Sequence, residues 1–365
     1  MDNTSETTRP TVVSQLRVIS KKLFGILAAG TILWHASYLN AGQPAVTIKA
    51  DPVIGQTVFS TPNDAANAFV RMVSNDDKDG LSKLFGADFR EVLSLDEVKG
   101  EDVDNFLAAW ERHNTLLPQD DQKVLLAVGD NQWTLPIPIV AGPSGWYYDT
   151  QAGREQMRIR RIGRNELATI QAVLAYYDAQ MEYAEQDRNS NGVLEYAQKF
   201  ISTPNSHNGL YWKAAPDEAQ SPLGSLFSGT TLEDAYHGYY YRILTSQGEH
   251  AKHGAYSYLR RGRMTSGFAL IAWPAEYGES GVLSFIVSHR GIVYEQDLGP
   301  GSADAAAAML GFDPEPGWIP VQEAQDSQAS AEANSELIWC KRLDGLKTVG
   351  LSHPGAASDG RGFTL

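Results

Sequence analysis

Between positions 165 and 186 the apolar residues Leu167, Ile170, Leu174, Tyr177, Met181 and Ala184 recur at three- or four-residue intervals, a spacing that only an α-helix gathers onto one face. The pattern predicts an amphipathic helix from Asn165 to Gln186, about six turns long, with Asn165 as its cap. A stripe of that length must lie on a broad apolar surface, and the chain downstream provides one. Gly238 to Thr245, Gly267 to Trp273, Gly281 to Ser288 and Ile292 to Gln296 are β-rich runs, with His289-Arg290-Gly291 as a tight turn between the last two. The second module, residues 152–320, is therefore expected to be a long helix packed on a four-stranded antiparallel meander. The segment before that helix, Ala152 to Ile162, reads as a separate or kinked helix ending at Gly163. It carries Arg154, Arg158, Arg160, Arg161 and Arg164, which read as the only basic spot of the chain. They form either a solvated face paired with nearby acids or a docking surface for an acidic partner.

Residues 57–150 read as a first module. Ser60-Thr61-Pro62-Asn63-Asp64 has the hydroxyl cap, proline and early acid of a helix start, and Ala65, Ala66, Phe69, Val70 and Val73 supply the apolar stripe. Leu81 to Phe85 and Val103 to His113 read as two further helices. Val124 to Val128, Trp133 to Val140 and Trp146 to Tyr148 read as strands, punctuated by the turn sequences Gly129-Asp130-Asn131 and Gly142-Pro143-Ser144-Gly145. Trp110, Trp133 and Trp146 are read as core residues. The expected class is α+β, with N-terminal helices on an antiparallel sheet. This order of elements resembles the nuclear-transport-factor-2-like cone, and the resemblance implies a concavity able to hold a small molecule.

Ahead of both modules, Arg17, Lys21 and Lys22 precede an apolar run from Leu23 to Trp34 and the small residues Ala36, Ser37 and Ala41. Basic, then apolar, then small is the order of a secretory signal. The run falls short of the ~20 residues that span a bilayer. Residues 1–41 are expected to be a signal peptide cleaved after Ala41 or, uncleaved, an N-terminal anchor, and the protein to be periplasmic or secreted. Acidic residues outnumber Lys and Arg by 44 to 30, giving a formal net charge of −14. That sign repels phosphate backbones and so excludes nucleic acid as a partner; it disfavours anionic headgroups and attracts cations. Cys340 is the single cysteine, so no intramolecular disulfide or CxxC pair can form. The tail, 321–365, is rich in Ala, Ser, Gln and Gly and is expected to be disordered, with a short helix over Leu337 to Leu346.

Directly after the long helix stands Asp187-Arg188-Asn189-Ser190-Asn191-Gly192-Val193-Leu194-Glu195. Oxygen side chains at loop positions one, three and five, Gly at six and a carboxylate at nine follow an EF-hand-type calcium loop. Asp187, Asn189, Asn191, the Val193 carbonyl and Glu195 are the candidate ligands, and calcium is the one cofactor expected. Gln198 occupies the position where a bidentate Glu belongs, so the site is expected to be weak, about 0.1–1 mM. The other reading of the same residues is a Gly192-centred turn with Asn side chains capping the helix end.

The runs Arg161 to Leu167, Asn191 to Gln198, Tyr236 to Leu244 and Gly267 to Gly278 closely resemble a bacterial exported-protein family catalogued as domain of unknown function 2950, over residues 57–320. The resemblance implies an exported protein and brings no mechanism with it. The helix, DxNxNG loop and meander are also loosely similar to pilin-like globular heads. No GxSxG, HExxH, Walker or GxGxxG motif occurs. The densest polar grouping is His237, Arg242 and Glu276, which would form a proton-handling or ligand-binding site if their strands bring them together. The expected role is non-catalytic binding or assembly in the envelope. The alternative is a periplasmic small-molecule-binding protein or enzyme using the first-module cone or the His237 grouping. The partner is accordingly an envelope protein or a small molecule.

Overall fold

The computed structural model describes residues 52–86, 100–214, 219–224 and 235–321; the leader, the tail beyond Val321 and Cys340 lie outside them. Among the described residues three helices come first: α1 (Pro62–Ser74), α2 (Lys78–Phe85) and α3 (Gly100–Arg112). Thr61 caps α1 by accepting from the Asp64 amide at 3.1 Å, with Pro62 at the first helical position, where a missing N–H costs nothing. An antiparallel sheet follows, made of β1 (Asn114–Asp120), β2 (Lys123–Val128), β3 (Trp133–Thr134), β4 (Ile139–Gly142) and β5 (Gly145–Tyr148). Its order is β1-β2-β4-β5, with β3 also paired to β2. The expected single strand over 133–140 is broken between Thr134 and Ile139, a stretch that contains Pro136 and Pro138. The strand β1 was not expected: it is polar and largely exposed, so it carries no alternation to read.

Between helices and sheet, Phe69, Phe85, Phe106 and Tyr148 are all essentially fully buried. Phe69 meets Phe85 at 5.7 Å and Phe106 at 5.5 Å between ring centroids, and Phe85 meets Tyr148 at 5.1 Å, each edge to face. The Tyr148 hydroxyl donates to the Ala65 carbonyl at 3.3 Å, which satisfies the one polar group among the rings. Burial drives its pKa far above that of an exposed phenol.

A single helix, α4, then runs from Thr150 to Tyr183. It replaces the two helices expected on either side of Gly163, and Asn165 is an interior residue. The cap is Asp149, whose carboxylate accepts from the Ala152 amide at 2.9 Å. Gly163 costs about 1 kcal/mol relative to Ala in a helix interior, which side-chain anchoring on both sides of it offsets. Gly153 brings α4 against the first core: a Cβ there would stand 2.7 Å from Ile137 Cγ1 and 3.2 Å from its Cα.

The remaining strands are β6 (Tyr239–Leu244), β7 (Ser246–Gln247), β8 (Tyr256–Ser257), β9 (Leu259–Arg260), β10 (Arg263–Met264), β11 (Ala269–Pro274), β12 (Leu283–Ser288), β13 (Val293–Asp297) and β14 (Ile319–Pro320), with a short helix α5 (Ser302–Ala308) before the last. The main sheet has the order β14-β13-β12-β11-β6, all antiparallel. The expected four-stranded meander is present with a short fifth strand at its edge. Tyr241 donates to Thr169 of α4 at 3.3 Å, and its strand neighbour Arg242 donates to carbonyls of Ala306 and Met309, at the C-terminal end of α5. Since successive side chains point to opposite faces, α4 covers one face of the sheet and α5 the other.

The buried face of α4 is Ile170, Val173, Tyr176, Ala179, Gln180 and Tyr183. It is rotated from the apolar stripe read in the sequence, so that Met181 is 42% exposed. The rotation is set by Gln180, which is fully buried yet satisfied: its Nε2 donates to the Ala197 carbonyl at 2.8 Å and the Tyr176 hydroxyl at 3.0 Å, and its Oε1 accepts from the Ala197 amide at 2.8 Å. Phe200, Leu210, Trp212 and Leu223, from the irregular stretch after α4, complete this second core.

Candidate functional site

The loop after α4 folds onto its own oxygens. Asp187 receives the amides of Asn191 at 3.0 Å and Gly192 at 2.7 Å, one on each carboxylate oxygen. Asn191 Oδ1 accepts from the Val193 amide at 3.0 Å. The side-chain amides of Asn189, at 2.6 Å, and of Asn191 both donate to Glu195 Oε1. Glu195 is 7% exposed, and its second oxygen, Oε2, is buried without a hydrogen-bond partner, as is Asn189 Oδ1. Asn189, Asn191 and Glu195 thus meet through their side chains, Asp187 caps the turn through the amides of Asn191 and Gly192, and Val193 joins through its own amide. Gln198, at the twelfth position, donates instead to the Gly262 carbonyl at 2.9 Å, and residues 196–214 after the loop contain no helix. The cation Arg188 folds back on the helix end, donating to the Glu182 carbonyl at 3.2 Å. Burial first, and then the charges of Glu195 and Asp187, push the Tyr183 phenol beside the loop up to about 12. Among the described residues no three His, Cys, Asp or Glu side chains cluster as a metal group; the donor set here is mixed carboxylate and amide oxygen, the kind that suits a hard cation such as Ca²⁺.

His237, Arg242 and Glu276 are distributed differently. His237 lies in the turn before β6 at φ +51°, its ring edge to face with Tyr236 at 4.2 Å. The residue as a whole is exposed, and the partial burial of its ring lowers its pKa. Glu276 lies exposed just past β11, near the His237 end, where the Ala275 amide donates to the Gly238 carbonyl at 2.9 Å. Arg242 is five residues along the strand from His237, about 16 Å at 3.3 Å per residue, and its guanidinium closes the end of α5. The register therefore gathers His237 and Glu276 at one end and leaves Arg242 in a structural role away from them.

The arginines of α4 grip both halves of the molecule. Arg160 donates to the Thr134 carbonyl at 2.8 Å and hydroxyl at 2.7 Å in the first module. Arg158, bonded to Glu155, also reaches the Gly278 carbonyl, and Arg161 pairs with Glu279 at 2.7 Å in the second. One turn further, Asn165 donates to the Ser280 carbonyl at 2.8 Å, and Glu166 accepts from the amides of Val282 at 2.9 Å and Leu283 at 3.0 Å. Glu166 was not singled out in the sequence; its only signal is a carboxylate bordering the apolar stripe. Burial raises its pKa despite those two amides, with Asp297 adding to the rise, and Glu295 is raised by burial and by Glu166.

Two cores strung on one continuous helix, with an oxygen-lined loop at its end, define an α+β protein. The chain belongs to the family described as "Protein of unknown function (DUF2950)", whose family model matches residues 56–321. No curated protein and no solved structure matches it, so the resemblances to nuclear-transport-factor-2-like cones and pilin-like heads gain no structural counterpart.

Proposed function

We propose that this chain is an exported envelope protein with a non-catalytic binding or assembly role, in which the loop Asp187 to Glu195 takes a calcium ion weakly and thereby fixes the end of α4 to the sheet. The observation that carries the calcium reading is the pair of buried oxygens without hydrogen-bond partners, Asn189 Oδ1 and Glu195 Oε2. A buried acceptor left unmade costs about 1–3 kcal/mol, and a cation bridging Asn189 and Glu195 would satisfy both at once. Export rests on the basic, apolar and small-residue order of residues 1–41. Among the described residues no helix is long and apolar enough to cross a membrane. The small-molecule alternative in the first module is weakened because Phe69, Phe85, Phe106 and Tyr148 pack against one another, all buried, between its helices and sheet.

The test is a melting series in calcium and, separately, in magnesium. At ~10 mM calcium a site of about 1 mM affinity adds roughly 1.4 kcal/mol; magnesium adds less, because it demands stricter octahedral geometry. Asp187→Ala should abolish the calcium increment. An unchanged melting temperature across the calcium series would refute the calcium reading. Recovery of the protein in the cytosol with residues 1–41 intact would refute the export reading.

A further inference from the structure

The whole-chain charge of −14 hides a local exception. In the second module, between β8 and β11, β9 and β10 form a hairpin in which Arg260 and Arg263 are direct cross-strand partners, so their Cβ atoms lie about 4.5–5.5 Å apart on the same side. Arg261 sits in the turn at φ +52°, and all three arginines are exposed. Like charges placed directly opposite each other destabilise a hairpin, yet here the charge is not neutralised. Arg260 Nε donates to the Ser266 hydroxyl at 2.8 Å, a neutral partner, and among the described residues no carboxylate pairs with Arg260, Arg261 or Arg263. Arg290 and His289 stand near the base of the same hairpin: the His289 ring approaches Gly267, and its pKa is lowered by burial first and also by Arg290 and His253. The hairpin is held rigidly, because Met264 is fully buried, its carbonyl accepts from the Tyr196 amide at 2.8 Å, and Gln198 holds the turn at Gly262.

We infer that the hairpin Leu259–Met264, with Arg260, Arg261 and Arg263 at its tip and Arg290 at its base, is a docking surface for a bilayer carrying net-anionic phosphate headgroups. Guanidinium forks match phosphate oxygens bidentately. Three exposed guanidiniums within four consecutive residues, Arg261 in the turn and Arg260 and Arg263 paired across it, present a concentrated positive charge that suits an array of many phosphates. The acidic remainder of the molecule would be repelled by the same surface, so contact is confined to the hairpin and the protein is held in one orientation. This inference is independent of calcium.

The test is co-sedimentation of the full chain with vesicles of phosphatidylcholine alone and of phosphatidylcholine mixed equally with phosphatidylglycerol, at low and high salt. The readout is the ratio of binding to mixed over neutral vesicles, which cancels any apolar partition of residues 1–41. Each arginine near the surface is worth about fivefold in partition, so the Arg260→Gln/Arg261→Gln/Arg263→Gln variant should lower the ratio tenfold or more. Arg261→Gln alone should lower it about fivefold, which keeps the test open if the triple variant misfolds. Neutralising three exposed cations of the first module, Arg71→Gln/Lys78→Gln/Lys83→Gln, should leave the ratio unchanged. High salt should erase the preference. A ratio near one for the unmodified chain overturns the inference, as does an equal loss in both triple variants. Capture of a polyglutamate peptide in place of mixed vesicles also overturns it, in favour of an acidic protein partner.

Discussion

In the first module four aromatic rings meet around Phe69, and the one hydroxyl among them, that of Tyr148, finds the Ala65 carbonyl. In the second, the corner between α4 and the sheet is built around Gln180 and runs directly into a loop where Glu195 Oε2 and Asn189 Oδ1 are buried without partners. An apolar core completes itself from its own side chains, because dispersion and area burial are non-directional. A buried polar corner has to match every donor with an acceptor, and whatever is left over points to something the chain does not itself supply. Among the described residues, the buried polar atoms left without partners all fall in the second module.

The largest effect should come from opening the first core. Phe69→Ala removes the ring that touches Phe85, Phe106 and Tyr148 and should cost about 3–5 kcal/mol, measured by denaturant unfolding, while any calcium increment in melting temperature stays the same. A changed increment would mean that the two cores are not separate. Next in size is Gln180→Leu, which keeps volume but strands the Ala197 amide and carbonyl. It should cost about 2–3 kcal/mol; a neutral outcome would show that the corner is held by packing alone.

The polar joint between α4 and the β11–β12 connection should respond to pH. Glu166 and Glu295 have folded-state pKa values raised above the ordinary carboxyl value by burial, so the folded state holds their protons more tightly than the unfolded state does. Their contribution is fully present below the ordinary value and is lost as pH rises through the raised one. Stability from these groups therefore increases on acidification from neutral pH. Glu166→Gln, which keeps an oxygen for the Val282 and Leu283 amides, should raise the melting temperature at pH 8 and flatten the response to acid. A steeper response would contradict the assignment. The smallest effect belongs to Arg161→Ala: its pair with Glu279 is half open to solvent, and such pairs are worth about 0.2–1 kcal/mol. A loss above that range in chemical denaturation would make the clamp a principal joint of the molecule.

The legible part of the fold was local. The Thr61 cap with Pro62, the strands around Ile271 and Ile286, and the turn at Gly291, whose amide donates to the Ser288 carbonyl at 2.9 Å, can all be read from neighbours in sequence. The continuity of α4 was not legible, since Gly163 and the arginine run look like a stop until Arg160 and Arg161 are seen anchored to residues 26 and 118 positions away. The candidate loop was legible as a spacing of oxygens, but its two unpartnered atoms were not. The arginines at 154–164, read as the only basic spot, turn out to include inward-facing clamps, whereas the unneutralised ones at 260–263 drew no attention in the sequence.

The sequence by itself determined the class of the protein, its helix and strand content and the oxygen-rich loop, because caps, turns and periodicities depend on residues a few positions apart. Only the tertiary structure decided which charges are neutralised, where Gln180 and Glu166 are spent, and that Arg242 closes a helix rather than joining His237. Those outcomes depend on desolvation and on partners brought together from distant positions, and neither exists until the chain has folded.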